Sequence, residues 1–317
     1  MPPSLERLGS DRPPPRPNVG LVVDDIDWHA RQLADAFATR GIATAPIRLP
    51  LCSFCTRSDS GLHIDGFGEN LPDAVVVRTM SGGTFEAVTL RLGILHALRD
   101  LGVMVWNDAR AIECCVDKSM TSFLLTRAGI PTPETWVTGS FEQARSIVQR
   151  EAGSLGLVLK PLFGSQGRGL QLIRKPDDLP REENKTGVYY LQRFVGVERG
   201  GGYHDFRLLV VRGRVIAAMQ RNSSHWITNI KRGGRSVAAA VNDEMKALAV
   251  RATAAVAADF AGVDIVYTTT HHPTVLEVNS MPAWSGLQKV TSANIAGLFV
   301  DALKTALVAH VARGARA

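Results

Sequence analysis

Two side chains with oxygen atoms able to bind a metal stand two residues apart in the run TVLEVNSMP, at residues 274–282. Because side chains i and i+2 lie on the same face of a strand, Glu277 and Asn279 are predicted to point the same way from an otherwise apolar stretch. A buried acid without a partner is costly. The sequence therefore predicts that a basic side chain or a metal ion faces Glu277.

A third oxygen-bearing side chain is expected beside them. The segment GVDIVYTTTHHPTVLEVNS (262–280) predicts two strands, and a turn centred on the TTTHHP run between them places Asp264 opposite Glu277. Three hard oxygen donors fit a Mg²⁺ site at which phosphate and water supply the remaining ligands. The alternative interpretation is a set of solvated acids, or salt bridges to Arg207 or Arg221.

A glycine-rich loop provides a second place for ligand chemistry. The run GLVLKPLFGSQGRGLQLI (156–173) predicts two strands flanking the loop FGSQGRG (163–169), and Lys160 ends the first strand. Backbone N–H groups of such a loop can approach a polyphosphate, and the lysine adds positive charge. The lysine precedes the glycines and no helix follows directly, so this is not a Walker loop. A flexible turn without a ligand is the alternative.

The N-terminal part of the chain alternates between strand and helix patterns, which predicts an α/β domain with a parallel sheet. No G-x-G-x-x-G follows its first strand, so a dinucleotide-binding fold is not supported. The predicted elements are strand 19–25, helix 28–41, strand 42–49, strand 73–79, helix 85–102 and strand 103–108.

The rest of the chain predicts a mixture of helices and hairpins. The elements are helix 117–129, strand 188–195, a hairpin within 204–223 about the turn RGR, and an Ala-rich helix over 242–262 that ends at Gly262. We divide the chain into a disordered tail (1–17), an N-terminal α/β domain (18–112), a central subdomain with the glycine-rich loop (113–195), and a C-terminal subdomain with the metal site (196–317).

Composition narrows the class of protein. Of 317 residues, 45% are hydrophobic and 21% charged, and the net charge of +6 favours anionic ligands. No RNA-recognition motif, no run of about 18 apolar residues and no secretory signal is present, so we expect neither nucleic-acid binding nor a membrane span, and a cytoplasmic location. Cys52, Cys55, Cys114 and Cys115 suit a reducing compartment. The C-x-x-C pair favours packing or a loop, with a metal or redox role as the alternative.

The order of these parts resembles the ATP-grasp carboxylate–amine ligases, and within them the RimK-like α-glutamate ligases. The resemblance runs from about residue 73 to residue 305. It implies an α/β (α+β) ATP-grasp fold preceded by a parallel-sheet domain. The segments that carry it are DKSMTSFLLTRAGIPTPETW, VLKPLFGSQGRGL, LQRFV, DFRLLVVRGRVIAAMQR, NIKRGG, AGVDI and EVNSMP.

The resemblance also implies roles for particular residues. Two lysines would hold the phosphates of ATP, a glycine-rich flap would cover them, and a hinge would read the adenine. These nucleotide-binding positions are Lys118, Lys160, Gly164, Ser165, Gln166, Gly167, Gly169, Gln192, Arg193, Phe194 and Val195. The implied ligands of Mg²⁺ (or Mn²⁺) are Asp264, Glu277 and Asn279, and the positions implied near the acyl phosphate and the amino acid are Arg207, Arg221 and Asn229.

The implied reaction joins L-glutamate to a carboxylate-bearing acceptor through an acyl phosphate, in a homo-oligomer (dimer or tetramer). The segment SSHWITNIKRGG (223–234) is more similar to lysine-biosynthesis ligases that act on a carrier protein. The segment MPAWSGLQKVT (281–291) is more similar to ligases that add glutamate to tetrahydromethanopterin-type cofactors, and Trp284 would either stack on the ring of such a cofactor or pack in the core. A small cofactor is the preferred acceptor, with a protein C-terminus or a non-catalytic ATP-binding scaffold as alternatives.

Overall fold

The computed structural model describes residues 18–164, 166–180 and 187–314. The predicted tail (1–17) and Ser165 of the glycine-rich loop lie outside these residues. The strands are β1 (Asn18–Val22), β2 (Ala43–Ile47), β3 (Ser53–Phe54), β4 (Leu62–His63), β5 (Ala74–Val77), β6 (Met104–Trp106), β7 (Thr135–Thr138), β8 (Leu157–Lys160), β9 (Gln171–Ile173), β10 (Tyr189–Arg193), β11 (Tyr203–Val211), β12 (Arg214–Ser223), β13 (Arg235–Ala238), β14 (Phe260–Tyr267) and β15 (Pro273–Asn279). The α-helices are α1 (Trp28–Ala38), α2 (Phe85–Asp100), α3 (Ala109–Val116), α4 (Lys118–Arg127), α5 (Phe141–Glu151), α6 (Asp243–Ala255), α7 (Ser285–Gln288) and α8 (Ile295–Gly314).

The predicted parallel sheet is confirmed at the N-terminal end of the described chain, with strand order β2-β1-β5-β6. Its strands are short apolar runs because helices cover both faces. Phe37 of α1 packs on the face that carries Val76, and Leu95 of α2 packs on the face that carries Val75. The chain therefore leaves the adjacent strands β1 and β5 toward opposite faces of the sheet.

Two larger antiparallel sheets follow, with strand orders β7-β10-β8-β9 and β13-β12-β11-β14-β15, and β3 pairs with β4 in a short antiparallel ribbon. The β11–β12 hairpin turns at Arg212 and Gly213, both with positive φ (48° and 71°), which confirms the turn predicted at RGR. The predicted pairing of Asp264 with Glu277 is confirmed as well, and the register shifts between Asp264 and Ile265.

The Ala-rich helix predicted to end at Gly262 is wrong at its C-terminal end. α6 ends at Ala255, Ala257 has a positive φ of 54°, and β14 begins at Phe260. Alanine favours a helix locally, but pairing with β11 and burial of Phe260 decide the conformation of this segment. The sequence interpretation also missed α5, α7, α8 and α3, and α3 spans the proposed domain boundary at residue 112.

The C-terminal helix α8 packs against the first strand and the first helix of the described chain. Within the described residues it is the one helix long and apolar enough, by length and composition alone, to cross a membrane. It packs against α1, and its Phe299 and Val300 share a core with Val19 of β1 and Trp284. The side of α8 that carries Phe299 and Val300 therefore lies in the protein core.

Candidate active site

A row of charged side chains crosses the five-stranded sheet. Asp205 and Arg207 share one face of β11 because they are two residues apart. The register places Arg221 of β12 opposite Asp205, Asp264 of β14 opposite Arg207, and Glu277 of β15 opposite Asp264. The sheet thus brings together the predicted metal-site acids and both arginines expected near the reacting groups.

These charges are tightly paired. Arg207 donates through Nε and Nη2 to the two carboxylate oxygens of Asp264, at 2.7 Å each. Arg221 donates to both oxygens of Asp205, and its Nη2 also lies 2.9 Å from Asp264 Oδ2. Arg221, Asp205 and Asp264 are all at most 4% exposed. Burial opposes ionisation of Asp264, but the two guanidinium groups lower its pKa to about 2, so Asp264 is charged at neutral pH.

Asn279 connects this row to Glu277. With its amide oxygen toward Arg207, Asn279 accepts from Nη2 at 3.2 Å and donates to Glu277 Oε1 at 2.9 Å. Carboxylate oxygens each carry more than one lone pair, so bonds to arginine leave Asp264 able to accept another partner. Within the described residues no group of three or more His, Cys, Asp or Glu side chains could enclose a metal. Two carboxylates and an amide fit Mg²⁺ or Mn²⁺ bound together with phosphate.

The oxygen-bearing side chains of Asp264, Glu277 and Asn279 are called the oxygen cluster below. Lys160 ends β8 and lies beside this cluster. It donates to Gln192 Oε1, and Gln192 in turn donates to Tyr190 Oη and Thr135 Oγ1, each at 3.1 Å. Burial lowers the pKa of Lys160 to about 8, and the negative charge of Glu277 partly opposes that shift. The lysine is thus held in a fixed position with an incompletely compensated charge.

Lys118 begins α4, whose N-terminus is capped by Asp117 through bonds from the backbone N–H groups of Ser119 and Met120. Its ammonium group donates to the carbonyl oxygen of Gly164 at 2.7 Å and, more weakly, to that of Leu162 at 3.3 Å. Burial lowers the pKa of Lys118, while Glu277 opposes the shift. Lys118 therefore reaches the glycine-rich loop from the entry helix.

The glycine-rich loop lies against the segment that contains Asn229. Gly167 has a φ of +70°, and a Cβ there would lie 2.6 Å from Asn229 Oδ1 and 2.7 Å from Ile227 Cγ2. Gly169 has a φ of +71°, and its Cβ would lie 2.8 Å from Pro161 Cγ. Only glycine permits this backbone shape and this close approach, so the loop fits a flap over the site.

A pocket runs from the oxygen cluster to the predicted hinge. Phe194 meets the rings of Trp226 and Tyr203 edge-on, with centroids 5.7 and 6.5 Å away. Arg193 turns its side chain outward to Glu134 and Glu151. The side chain of Gln192 holds Lys160, and the backbone N–H groups of Arg193 and Phe194 donate to the carbonyl oxygens of Glu134 and Gly156. The pocket lining includes Val158, Lys160, Val195, Leu276, Asn229 and Glu277.

Other side chains singled out in the sequence lie elsewhere. Trp284 is 2% exposed and packs in the core, so the hypothesis that it stacks on a cofactor ring is wrong and its packing alternative is confirmed. His225, His271 and His272 are exposed. Cys52 is buried and its sulfur accepts from the backbone N–H of Asp65.

Asp205 is the charged site residue that the sequence interpretation missed. It lies in the segment DFRLLVV, two residues before Arg207, and that spacing was the available signal. Its bidentate bond with Arg221 depends on the β11–β12 register, which the sequence alone did not give. Asp205 compensates the charge of Arg221, whose burial would be costly without a carboxylate partner.

Comparison with known proteins agrees with this architecture. A family model described as RimK-like ATP-grasp domain matches residues 115–303. The tetrahydromethanopterin:alpha-L-glutamate ligase of Methanosarcina acetivorans is 30% identical, over 91% of this chain and 99% of that protein. A probable alpha-L-glutamate ligase of Teredinibacter turnerae is 31% identical, over 86% and 90%. The structure of the ATP-grasp ligase PsnB with minimal precursor, Mg and ADP has a TM-score of 0.65 at 22% identity, covering 92% and 97%.

The fold and these relatives define an ATP-dependent carboxylate–amine ligase of the ATP-grasp class. Within that class, the chain belongs to the RimK-like ATP-grasp family, as the order of its sequence segments predicted.

Proposed function

We propose that the protein uses ATP and Mg²⁺ to join L-glutamate to a carboxylate-bearing acceptor through an acyl-phosphate intermediate. We further propose that the acceptor is a tetrahydromethanopterin-type or related one-carbon cofactor. ADP and phosphate are the other products. The family supports the reaction class, and relatives named as glutamate ligases support the amino-acid substrate.

The observation that carries this proposal is the placement of two partly buried lysines against the oxygen cluster. Lys118 and Lys160 come from different elements, and both interact electrostatically with Glu277. Because burial disfavours their charged forms, each lysine gains from a nearby anion. A polyphosphate between the lysines and Glu277 supplies that negative charge. Such a ligand also needs a cation on its other side.

The oxygen atoms of Asp264, Glu277 and Asn279 are the groups that hold the divalent cation in this proposal. When bound, Mg²⁺ neutralises phosphate charge during transfer. The chain itself orients the nucleotide: Lys160 is fixed by Gln192, and the glycine-rich loop reaches Asn229 and excludes water from the reactive anhydride.

Arg207 and Arg221 have the right character to stabilise negative charge at the carbonyl that the amine attacks. Each has its Nε and Nη2 engaged by carboxylates, and within the described residues neither Nη1 makes a hydrogen bond. A guanidinium held rigidly on one edge can donate from the other without reorganising. Arg221 also lines the pocket, so its remaining donor is available to a substrate oxygen.

Aromatic side chains beside Arg221 support a cofactor as the acceptor. Tyr203 and Trp226 line the same pocket and meet Phe194 edge-on, and the ring of Trp226 also lies 5.5 Å from that of His225 at a tilt of 33°. Aromatic rings of this kind can stack on a flat heterocycle. In this proposal Tyr203 and Trp226 contact the cofactor ring, whereas Trp284 is buried in the core. The relative from M. acetivorans is named for such a cofactor.

The direct test is ADP release with ATP, Mg²⁺ and L-glutamate across a panel of acceptors: a pterin cofactor, a furan cofactor and a Glu-terminated peptide. We expect ADP only when glutamate and one acceptor are both present, with loss of turnover in Asp264→Ala and Glu277→Ala. Asp259→Ala, at a partly exposed acid paired with Arg212, is the control. Mg²⁺-dependent ATP binding without turnover on any acceptor would favour the scaffold alternative.

A further inference from the structure

Three polar side chains at the carboxyl edge of the parallel sheet have no role in the proposed function. His29 lies in α1 after β1, Arg78 directly follows β5, and Asn107 directly follows β6. All three form hydrogen bonds with the backbone of residues 280–285. That segment starts one residue after Asn279, so the N-terminal sheet holds the exit of the strand that carries Glu277 and Asn279.

Asn107 makes the firmest of these contacts. It is fully buried, and its Nδ2 donates to the carbonyl oxygens of Ser280 and Phe260 at 2.7 Å each. Its Oδ1 accepts from the backbone N–H groups of Asp259 and Phe260, at 2.7 and 3.0 Å. One amide thereby joins the end of β15 to the start of β14, the two strands that bear Glu277 and Asp264.

His29 holds the other end of the segment. Its Nε2 accepts from the backbone N–H groups of Trp284 and Ser285, at 3.2 Å each, and its Nδ1 lies 2.8 Å from Asp27 Oδ2. Only the neutral ring with its proton on Nδ1 satisfies all three contacts. Burial, reinforced by the charge of Arg78, lowers the pKa of His29 and favours that neutral form.

Arg78 holds the middle. Its Nη1 donates to the carbonyl oxygen of Met281 at 3.1 Å, and its guanidinium lies 5.0 Å from the ring centroid of Trp284. Arg78 is 4% exposed and forms no ion pair within the described residues, where its Nε also lacks a partner. A buried cation without a carboxylate is costly. Its contacts are instead directed at the 280–285 segment.

We propose that His29, Arg78 and Asn107 are positioning residues that fix Glu277 and Asn279 in the geometry required to hold the divalent cation. The inference rests on the proposed function, because it takes these two side chains as metal-binding groups. None of the three lines the nucleotide pocket, so each acts through the backbone it holds. Outer groups that orient metal ligands typically contribute about 10- to 100-fold to metal affinity.

The alternative is that these contacts only join the N-terminal sheet to the rest of the molecule. In that case their loss lowers the melting temperature and leaves metal binding unchanged. The two readings differ in a measurable quantity. If the three residues position the metal-binding groups, their loss weakens metal binding. Nucleotide binding is then retained, because the hinge lies on other strands.

The experiment measures Mn²⁺ affinity by electron paramagnetic resonance in the presence of ADP, and ADP affinity without metal, for the full chain. For Arg78→Met we expect Mn²⁺ binding about tenfold weaker or worse, with metal-free ADP affinity changed less than about twofold. Arg78→Lys, which can still donate to Met281, should recover part of the loss. Arg99→Met, at an arginine near the surface of α2, is the matched control.

His29→Phe is the second variant, and it decides on the same criteria if Arg78→Met does not fold. Phenylalanine keeps the edge-on contacts with Trp28 and Trp284 but cannot accept from the two N–H groups. Unchanged Mn²⁺ affinity in a folded variant overturns the inference and leaves the proposed function standing. Failure of the wild-type protein to bind Mn²⁺ with ADP contradicts the proposed metal site itself, and the inference with it.

Discussion

Arg207 and Asp264 lie opposite each other on adjacent antiparallel strands and form a two-bond ion pair, with both N–O distances at 2.7 Å. The same carboxylate also lies 2.9 Å from Arg221. Asp264 therefore has two tasks in this protein. It compensates the buried guanidinium group of Arg221 and the partly buried one of Arg207, and in the proposed function it offers an oxygen to the divalent cation.

Removal of the charge on Asp264 should consequently affect both activity and stability. In Asp264→Asn, Arg207 and Arg221 lose their shared anion, and we expect the free energy of unfolding to fall by about 3 kcal/mol. Turnover should fall below detection. Urea denaturation and ADP release measure the two effects. The control Asp259→Asn should change neither by much, and a fully stable Asp264→Asn protein would contradict the ion-pair argument.

The same ion pair predicts an acid-dependent loss of stability. The pKa of Asp264 is lowered to about 2 from a usual value near 3.8, so its contribution is present above about pH 4 and disappears as the pH falls through 2. The contribution is about 2 kcal/mol. Unfolding free energies of wild type and Asp264→Asn should therefore converge between pH 4 and pH 2. A constant difference over that range would contradict the shifted pKa.

Lys160 predicts an alkaline limit on nucleotide binding. Burial lowers its pKa to about 8, so the cationic form that attracts phosphate is lost as the pH rises through 8. We expect the affinity for ATP to fall about tenfold between pH 7 and pH 9. Isothermal titration at fixed ionic strength measures the change. Lys160→Arg, whose side chain stays charged, should show no such fall even if its affinity is lower throughout.

The position of Gly167 predicts a steric requirement in the glycine-rich loop. In Gly167→Ala the added Cβ meets Asn229 Oδ1 at 2.6 Å, and the φ of +70° is strained for alanine. Strain of about 1–3 kcal/mol in the closed loop should lower the rate of ligation by about 5- to 160-fold. Gly82→Ala is the matched control, since no atom lies within 4 Å of a Cβ there.

Steady-state rates and the melting temperature together test the Gly167 prediction. Gly164 and Gly169 of the glycine-rich loop are exposed, so the global fold should keep its melting temperature within a few degrees. Equal rates for Gly167→Ala and wild type would show that the loop does not close against Asn229 during the reaction.

Local patterns were sufficient for much of the molecule. The pairing of Asp264 with Glu277 followed from the centre of a turn a few residues away, and Lys160 followed from its place between an apolar strand and a glycine-rich loop. The alternating elements of the N-terminal sheet followed from apolar periodicity. These features depend on residues close together in the chain, where period and turn chemistry determine the structure.

Contacts between residues far apart in the chain decided the features that local patterns did not predict. The carbonyl of Ser280 is held by Asn107 from 173 residues away, that of Met281 by Arg78 from 203 residues away, and the N–H of Trp284 by His29 from 255 residues away. The end of α6 and the burial of Trp284 were decided in the same way. No local pattern encodes such contacts, because burial and pairing with distant strands outweigh propensity differences of a few tenths of a kcal/mol per residue. By itself the sequence determined which groups could do chemistry, while the tertiary structure decided which other groups hold them in place.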